Sequence, residues 1–175
     1  MICPWCNFSN VPGADQCANC QQDLASLDRP TPLDRVQSSL MHDPVSVLRP
    51  RAAITLGPLS TMGEAIGVLL VENIGALPVV DTAGALVGIL SERDLLLKVA
   101  GLRDDYAGRP VSEFMTPRPE TVRESDTLAF ALHKMDSGGY RHLPVLRDGR
   151  LVGMISVRDV LRHVTRLCKG VGPGS

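Results

Sequence analysis

Two kinds of residue cluster in this chain have the types and spacing to do chemistry, and each occurs twice. The first is a Cys-x-x-Cys motif, present as Cys3-Pro4-Trp5-Cys6 and Cys17-Ala18-Asn19-Cys20, with a polar loop holding Pro12-Gly13 between the copies. Two residues between thiols let both sulfurs of a pair face one point, and two pairs complete the closed tetrahedral thiolate shell of a structural zinc site. Cys3, Cys6, Cys17 and Cys20 are therefore the expected ligands, and Zn2+ the expected ion. Residues 1–28 are too few to bury an adequate core, and structural zinc in small peptides supplies about 10–16 kcal/mol in its place. The alternatives are a redox dithiol or unrelated buried cysteines. A redox motif, however, is one pair in a strand-to-helix setting, and here two pairs are matched.

The second cluster is Ser91-Glu92-Arg93-Asp94, repeated as Ser156-Val157-Arg158-Asp159, each just ahead of an apolar run. A serine followed three residues later by an acid is the signature of a helix N-cap. The same place can hold a ligand. Free backbone N–H groups and the positive end of the helix dipole attract phosphate, an aspartate there can accept both hydroxyls of a ribose, and an arginine beside it presents a fork of donors to an anion.

The elements that must position these clusters are themselves duplicated. Ala76-Leu77-Pro78-Val79-Val80, a turn at Asp81 to Gly84, and Leu86-Val87-Gly88-Ile89-Leu90 lead into the first Ser-x-Arg-Asp. His142-Leu143-Pro144-Val145-Leu146, a turn at Asp148-Gly149, and Leu151-Val152-Gly153-Met154-Ile155 lead into the second. Thr55 and Thr121, and Ala65 and Ala131, fall into the same register. A self-match of this length fixes the organisation before any finer reading.

In the first unit, Ile54 to Leu56 reads as a short strand. Ser60 or Thr61 caps a helix striped by Met62, Ala65, Ile66, Leu69 and Leu70, two apolar strands follow, and a helix runs from Ser91 to about Val99. In the second, Val111 to Met115 precedes a break at Thr116-Pro117-Arg118-Pro119, and Glu120 to Val122 repeats the short strand. Leu128, Ala131, Leu132 and Met135 repeat the helical stripe, which ends at Gly138-Gly139. Asp148-Gly149 is a hairpin signal, and Val160, Leu161, Val164 and Leu167 stripe the last helix. Cys168 reads as a packing residue. Between cysteine region and repeats, Arg29-Pro30-Thr31-Pro32 breaks regular structure, Leu33 to Met41 forms a short helix carrying Val36 and Leu40 on one face, His42 lies in a loop, and Val45 to Arg51 approaches the first unit in extended form.

Composition excludes several functions. Of the 175 residues 44% are hydrophobic but only 3% aromatic, so the core is aliphatic and a planar ligand would lie between aliphatic side chains and backbone. A net charge of −1 and a pI of about 6.4 give no footprint for nucleic acid or an anionic membrane. Residues 1–28 carry Asp15, Asp23 and Asp28 but no Lys or Arg, and four thiolates around a dication leave a negative site that repels a phosphate backbone. Trp5 and Phe8 either contact a protein partner or pack over the metal. No run approaches the roughly 20 apolar residues of a membrane span, and Met1-Ile2-Cys3 does not begin a signal peptide. A reducing, cytoplasmic setting is the expectation. No nucleophile–base pair or open metal site stands out, and the histidines are dispersed, so an enzyme is not expected.

The residues up to Asp28 resemble the small zinc ribbons at the ends of many bacterial and archaeal proteins. From about residue 40 to 167, Leu-Pro-Val entering the second strand and Gly-x-hydrophobic-Ser-x-x-Asp leaving the third resemble the cystathionine beta-synthase (CBS) domain, present twice. The resemblance implies an α+β fold of two β-α-β-β-α units packed as a pseudo-twofold pair: ribbon 1–28, linker 29–41, units 42–107 and 108–168, and a tail 169–175. It also implies adenine-nucleotide binding between the units. Asp94 and Asp159 would hold ribose, with Ser91, Arg93, Ser156 and Arg158 beside them. Thr55 and Thr121 would touch phosphate or ribose, and Ala76-Leu77-Pro78 and His142-Leu143-Pro144 would line the base. Arg141-His142 could reach phosphate in the second unit, where Gly75-Ala76 cannot in the first, so unequal clefts are expected. A regulatory module that binds AMP, ADP, ATP or another adenosyl ligand and dimerises through its helices is the leading expectation. The alternative is a structural adaptor that docks a protein through its ribbon.

Overall fold

The structure, a computed structural model, describes residues 1–25, 34–101 and 105–170. The proline-rich link at Arg29 to Pro32, residues 102–104 of the connection between units, and the tail beyond Gly170 lie outside the described residues.

Residues 1–25 form two copies of one knuckle. Cys3 N–H donates to Phe8 O and Cys17 N–H to Gln22 O, both at 2.9 Å, while Asn7 N–H and Gln21 N–H close back onto the carbonyls of Cys3 and Cys17. Each knuckle turns through one left-handed residue, Asn7 at φ 58° and Gln21 at φ 59°. Asparagine tolerates that region better than most residues.

The remainder is a mixed α+β body with two three-stranded sheets. Helix α1 (Arg35–His42) starts at Asp34, whose carboxylate accepts the Gln37 amide at 2.8 Å. Helix α2 (Met62–Val71) has a complete capping box between Thr61 and Glu64. Strands β1 (Ala76–Val80) and β2 (Leu86–Ser91) pair antiparallel. Helix α3 (Glu92–Asp94) runs directly into a π-turn, Leu95–Val99, in place of the regular helix that the apolar run suggests. In the second unit, β4 (Val122–Arg123) lies parallel to β5 (His142–Arg147), which pairs antiparallel with β6 (Arg150–Ser156). Helix α4 (Leu128–Gly138) ends on Gly139 at φ 65°, and α5 (Val157–Cys168) closes the unit. Asp148 and Gly149 both have positive φ, 50° and 76°, the requirement of the two-residue hairpin turn the sequence signals.

Each unit completes the core of the other. Val45 to Arg51 is not an extended approach to unit 1. It begins with a helical turn, Val45–Leu48, and packs on unit 2: Val45 N–H donates to Asp126 O at 2.7 Å, and Val45 is wholly buried with Val122, Ala131, Leu143, Val145 and Ile155. The corresponding segment ahead of unit 2 does the reverse. Val111 N–H donates to Ser60 O at 2.8 Å, and Val111 and Phe114 are buried with Met62, Ala65, Leu77 and Leu90 of unit 1. Thr116 and Pro117 are thus a strand, β3, added to the edge of β2, and not a break. Arg51 pairs with Met154 of β6 at the matching register. Proline serves at such an edge because its missing N–H faces outward.

Other expectations change with this packing. Ile54 to Leu56 supplies only a parallel bridge, Leu56 to Val79. Along α2, Met62, Ala65 and Leu69 face the core, whereas Leu70 lies one step further round and is 75% exposed. Along α5 the buried pair is Val160 and His163, and Leu161 is exposed. Cys168 is exposed and does not pack. His42 ends α1, its Nδ1 3.0 Å from Ser38 O.

The glycine of each Leu-Val-Gly sits where an arm crosses. A Cβ on Gly153 would lie 2.5 Å from the Arg51 carbonyl oxygen, while one on Gly88 would meet the mobile end of Met115. Backbone cannot retreat as a thioether can. Gly153→Ala is therefore expected to destabilise by about 1–3 kcal/mol and Gly88→Ala by less, as read from urea unfolding midpoints; equal losses would contradict this account of the crossings.

Candidate functional site

The four cysteines predicted to act together do converge. Their Sγ atoms all lie within 4.8 Å of one another, with Cys3 to Cys20 at 3.7 Å and Cys6 to Cys17 at 3.5 Å. Cys3 and Cys17 are buried against Leu24, with Met1 at the edge. Trp5 and Phe8 are not part of that packing; both are exposed. Asn10, itself buried, donates from Nδ2 to Cys17 Sγ at 3.5 Å and accepts Ala18 N–H at 2.9 Å, contacts that orient the thiol and that the cysteine spacing alone does not reveal. Without a cation the cluster cannot ionise evenly. Backbone donation around Cys20, despite burial, brings Cys17 down to about 6. Cys20 receives a backbone hydrogen bond at Gln22, but burial and its three thiol neighbours push it up to about 12. Four thiols this close, on a hydrogen-bonded scaffold, could hold a metal ion.

The second cluster gathers where the two units meet. Strand pairing sets Ala76 opposite Ser91 and His142 opposite Ser156. Glu92 N–H donates to Gly75 O and Val157 N–H to Arg141 O, both at 3.1 Å. Across the units, Arg93 Nη1 donates to Gly139 O at 3.1 Å, and His142 lies so close to Gly75 that a Cβ there would be 2.9 Å from its ring. Gly75 thus leaves room for the half-buried imidazole. Burial holds His142 below its ordinary 6.5 although Glu92 and Asp159 oppose it, with Arg141 and Arg158 adding to the depression. The segments carrying Ala76, Ser91, Arg93, Arg141, His142 and Ser156 therefore converge on one face. Leu77, Pro78, Leu143 and Pro144 are buried behind it.

The two aspartates are wired alike on one oxygen and differently on the other. Asp94 Oδ2 accepts Ser91 N–H at 2.9 Å and its hydroxyl at 2.6 Å, and Asp159 Oδ2 accepts the same groups of Ser156 at 2.8 and 2.7 Å. Asp94 Oδ1, however, also receives Thr116 Oγ1 at 3.0 Å and Lys98 Nζ at 2.7 Å. Burial alone would raise the Asp94 carboxyl, but Lys98, Ser91 and Thr116 together hold it below the usual carboxylate range. Among the described residues, Asp159 Oδ1 accepts only from Arg162, at 3.1 Å. Lys98 and Thr116 belong to no motif; only the exchanged arm brings Thr116 to the site.

The threonines stand apart from this cluster. Thr55 is exposed beside the Leu56 bridge. Thr121 borders a cavity of about 980 Å3 with Phe130, Lys134, Arg147 and Asp148, and none of the serines or aspartates of the two motifs lines it.

A buried polar chain between α1 and α5 carries no sequence motif. His163 Nε2 lies 2.8 Å from Ser39 Oγ, which donates to Asp43 Oδ2 at 2.5 Å. It joins α1 to α5 across 124 residues of sequence. The available signal is that position 163 follows Val160 by three on the buried face.

The paired units match known proteins. The CBS domain family model matches twice, over residues 36–101 and 111–166, and the chain belongs to that family. It is 36% identical to the CBS-domain containing protein ATU1752 from Agrobacterium tumefaciens, covering 68% of this chain and 94% of that one with a TM-score of 0.64. The CBS domain pair of MJ0100, solved with 5′-methylthioadenosine and S-adenosyl-L-methionine, is 28% identical over 69% of this chain and 98% of its own, TM-score 0.62. CBSX2 of Arabidopsis thaliana, solved with AMP, is 28% identical over 70% of this chain and 97% of that one, TM-score 0.59. Among the described residues no helix is long and apolar enough to cross a membrane.

Burial likewise holds His163 below 6.5, against Asp43 and with Arg166. A histidine depressed in the folded state is protonated first in the unfolded chain, so its stabilising contribution is complete above pH 6.5 and is lost as pH falls through the folded value. The thermal midpoint is expected to fall between pH 7 and 5, and His163→Gln to flatten that slope relative to wild type. An unchanged slope would contradict the assignment.

Proposed function

We propose that this protein is a regulatory sensor whose CBS pair binds an adenosyl ligand at the helix starts where the units meet, and that its cysteine knuckles carry a structural zinc ion. The observation that carries the reading is at the start of α5. The Asp159 side chain is one-third exposed, and beside it Arg158 and Arg141 are exposed with no side-chain hydrogen bond or ion pair among the described residues. That combination offers acceptors to a sugar diol and donors to a phosphate or other anion. Ser156 and the backbone of His142, Leu143 and Pro144 would line the same place, with Ala76, Leu77 and Pro78 on the facing unit, whereas Thr55 and Thr121 stand apart and are given no contact with the ligand. The adenosyl compounds held by MJ0100 and CBSX2 support the ligand class. No catalytic group is assigned. The signal requires the ligand to favour one arrangement of the units over another, since tight binding to both equally shifts nothing.

Zinc fits the cysteines on geometry. Zn–S bonds of about 2.3 Å give tetrahedral edges of about 3.8 Å, close to the 3.5 and 3.7 Å separations seen. The metal would hold residues 1–25 in shape; the chain's own part is to present four sulfurs and to orient Cys17 through Asn10. A homodimer through the first unit's helices is part of the proposal. Leu70, Val71, Leu96 and Leu97 are each more than 70% exposed there, an apolar surface that a second copy would cover.

One observation favours the adaptor as a second reading: Ile2, Trp5, Phe8 and Val11 of the ribbon are all exposed, and a protein partner could dock on them. A partner retained by Asp159→Asn but lost with Cys17→Ser would support it.

Two measurements test the main reading. Calorimetry with AMP, ADP, ATP and S-adenosylmethionine is expected to give saturable binding to at least one; silence across the panel would refute the sensor. Native mass spectrometry is expected to show one zinc per chain, lost with Cys17→Ser, and a metal-free wild type would refute the zinc assignment.

A further inference from the structure

Resting on the sensor reading, we infer that the two acid-bearing helix starts have divided their roles: Asp159 alone receives the ligand, and Asp94 is a permanent structural pin, so each chain binds one adenosyl ligand and not two.

A ribose diol needs both oxygens of a carboxylate, or one oxygen with two free lone pairs. Oδ2 is committed to the serine in both units, so the choice falls on Oδ1. In unit 1 that oxygen already accepts the Lys98 ammonium at 2.7 Å and the Thr116 hydroxyl at 3.0 Å, and the Asp94 side chain is only 10% exposed. Lys98 is itself held: its Nζ also donates to Phe114 O at 2.7 Å, Met115 O at 3.2 Å and Thr116 Oγ1 at 3.4 Å. These four residues tie the π-turn of unit 1 to the arm that enters from unit 2. An entering diol would have to displace both the Lys98 ammonium, whose side chain is 38% exposed, and the Thr116 hydroxyl from a nearly buried carboxylate, a loss larger than the two hydrogen bonds it offers. Arg93, which would face the anion, is drawn toward Gly139 O by one of its donors, whereas Arg158 has no such tie among the described residues.

Unit 2 lacks every part of this lock. The residue in register with Lys98 is His163, turned away to Ser39. The residue in register with Thr116 is Arg51, exposed on the surface. What occupies Asp159 Oδ1 is Arg162, itself 59% exposed, in the kind of surface pair that contributes about 0–1 kcal/mol and can swing aside.

The test is calorimetry on the full-length protein, with AMP and S-adenosylmethionine as probes. The expected result is one site per chain for whichever probe binds. Asp159→Asn is expected to weaken that binding by about tenfold or more with little change in thermal midpoint. Asp94→Asn is expected to hold affinity within about twofold while lowering the midpoint. Lys98→Gln, which loosens the same node and keeps the carboxylate, is expected to behave likewise should Asp94→Asn fold poorly. Two sites per chain, or loss of binding with Asp94→Asn or Lys98→Gln while Asp159→Asn still binds, would overturn the division of roles and leave the sensor reading standing. Wild type that binds neither probe would remove this inference, and binding of no nucleotide at all would remove the sensor with it.

Discussion

The constraint on which the structure depends is that neither unit can close its own core. Val45 is wholly buried among residues of unit 2, and Val111 with Phe114 among those of unit 1. Burying a valine or phenylalanine side chain is worth about 1.5–3 kcal/mol, so withdrawing an arm would expose apolar surface on both sides of the exchange. The arms also carry polar links that a free unit would lose, Val45 N–H to Asp126 O and Val111 N–H to Ser60 O. The duplicated sequence thus specifies two halves with a shared interior, joined by an arm in each direction.

This interlocking gives the site its character. Because β3 crosses on the edge of β2, Thr116 reaches the carboxylate of Asp94, and Lys98 spans from that carboxylate to the arm's own carbonyls. In unit 2 the same helical position holds His163, and its imidazole points the opposite way, to Ser39 and Asp43 on α1. One motif written twice therefore serves two purposes. In unit 1 it fastens the crossing strand. In unit 2 a different buried chain fastens α1, and Asp159 is left facing outward with one surface arginine.

Much of this was legible in the sequence, and what was not has a common physical origin. The repeat, the caps at Thr61, Ser91 and Ser156, the Asp148-Gly149 turn and the convergence of four cysteines follow from local rules of spacing and backbone conformation, and the structure has them. Tertiary overrides are where the reading departs. Val45 to Arg51 and Thr116-Pro117 look like linker and break because their partners lie in the other unit. Gly88 and Gly153 look like ordinary strand glycines until an arm crosses them. Lys98, Thr116 and the Ser39–Asp43–His163 chain carry no motif, since each becomes meaningful only beside residues far away in sequence. The sequence leads one to expect unequal clefts from Arg141 and His142 set against Gly75 and Ala76; the different Oδ1 wiring of the two aspartates is a separate matter, a contact and not a pattern.

The most direct test of the interlocked core is residue-resolved native-state hydrogen exchange at the Val45 and Val111 amides, which sit in opposite arms and are bonded into opposite units. If the exchange of arms binds the halves into one cooperative body, both amides open only with global unfolding and with the same free energy, matched by the buried strands β1 and β5. Opening of one arm together with one unit, at a distinctly lower free energy than the other, would show two independently stable halves and contradict the account.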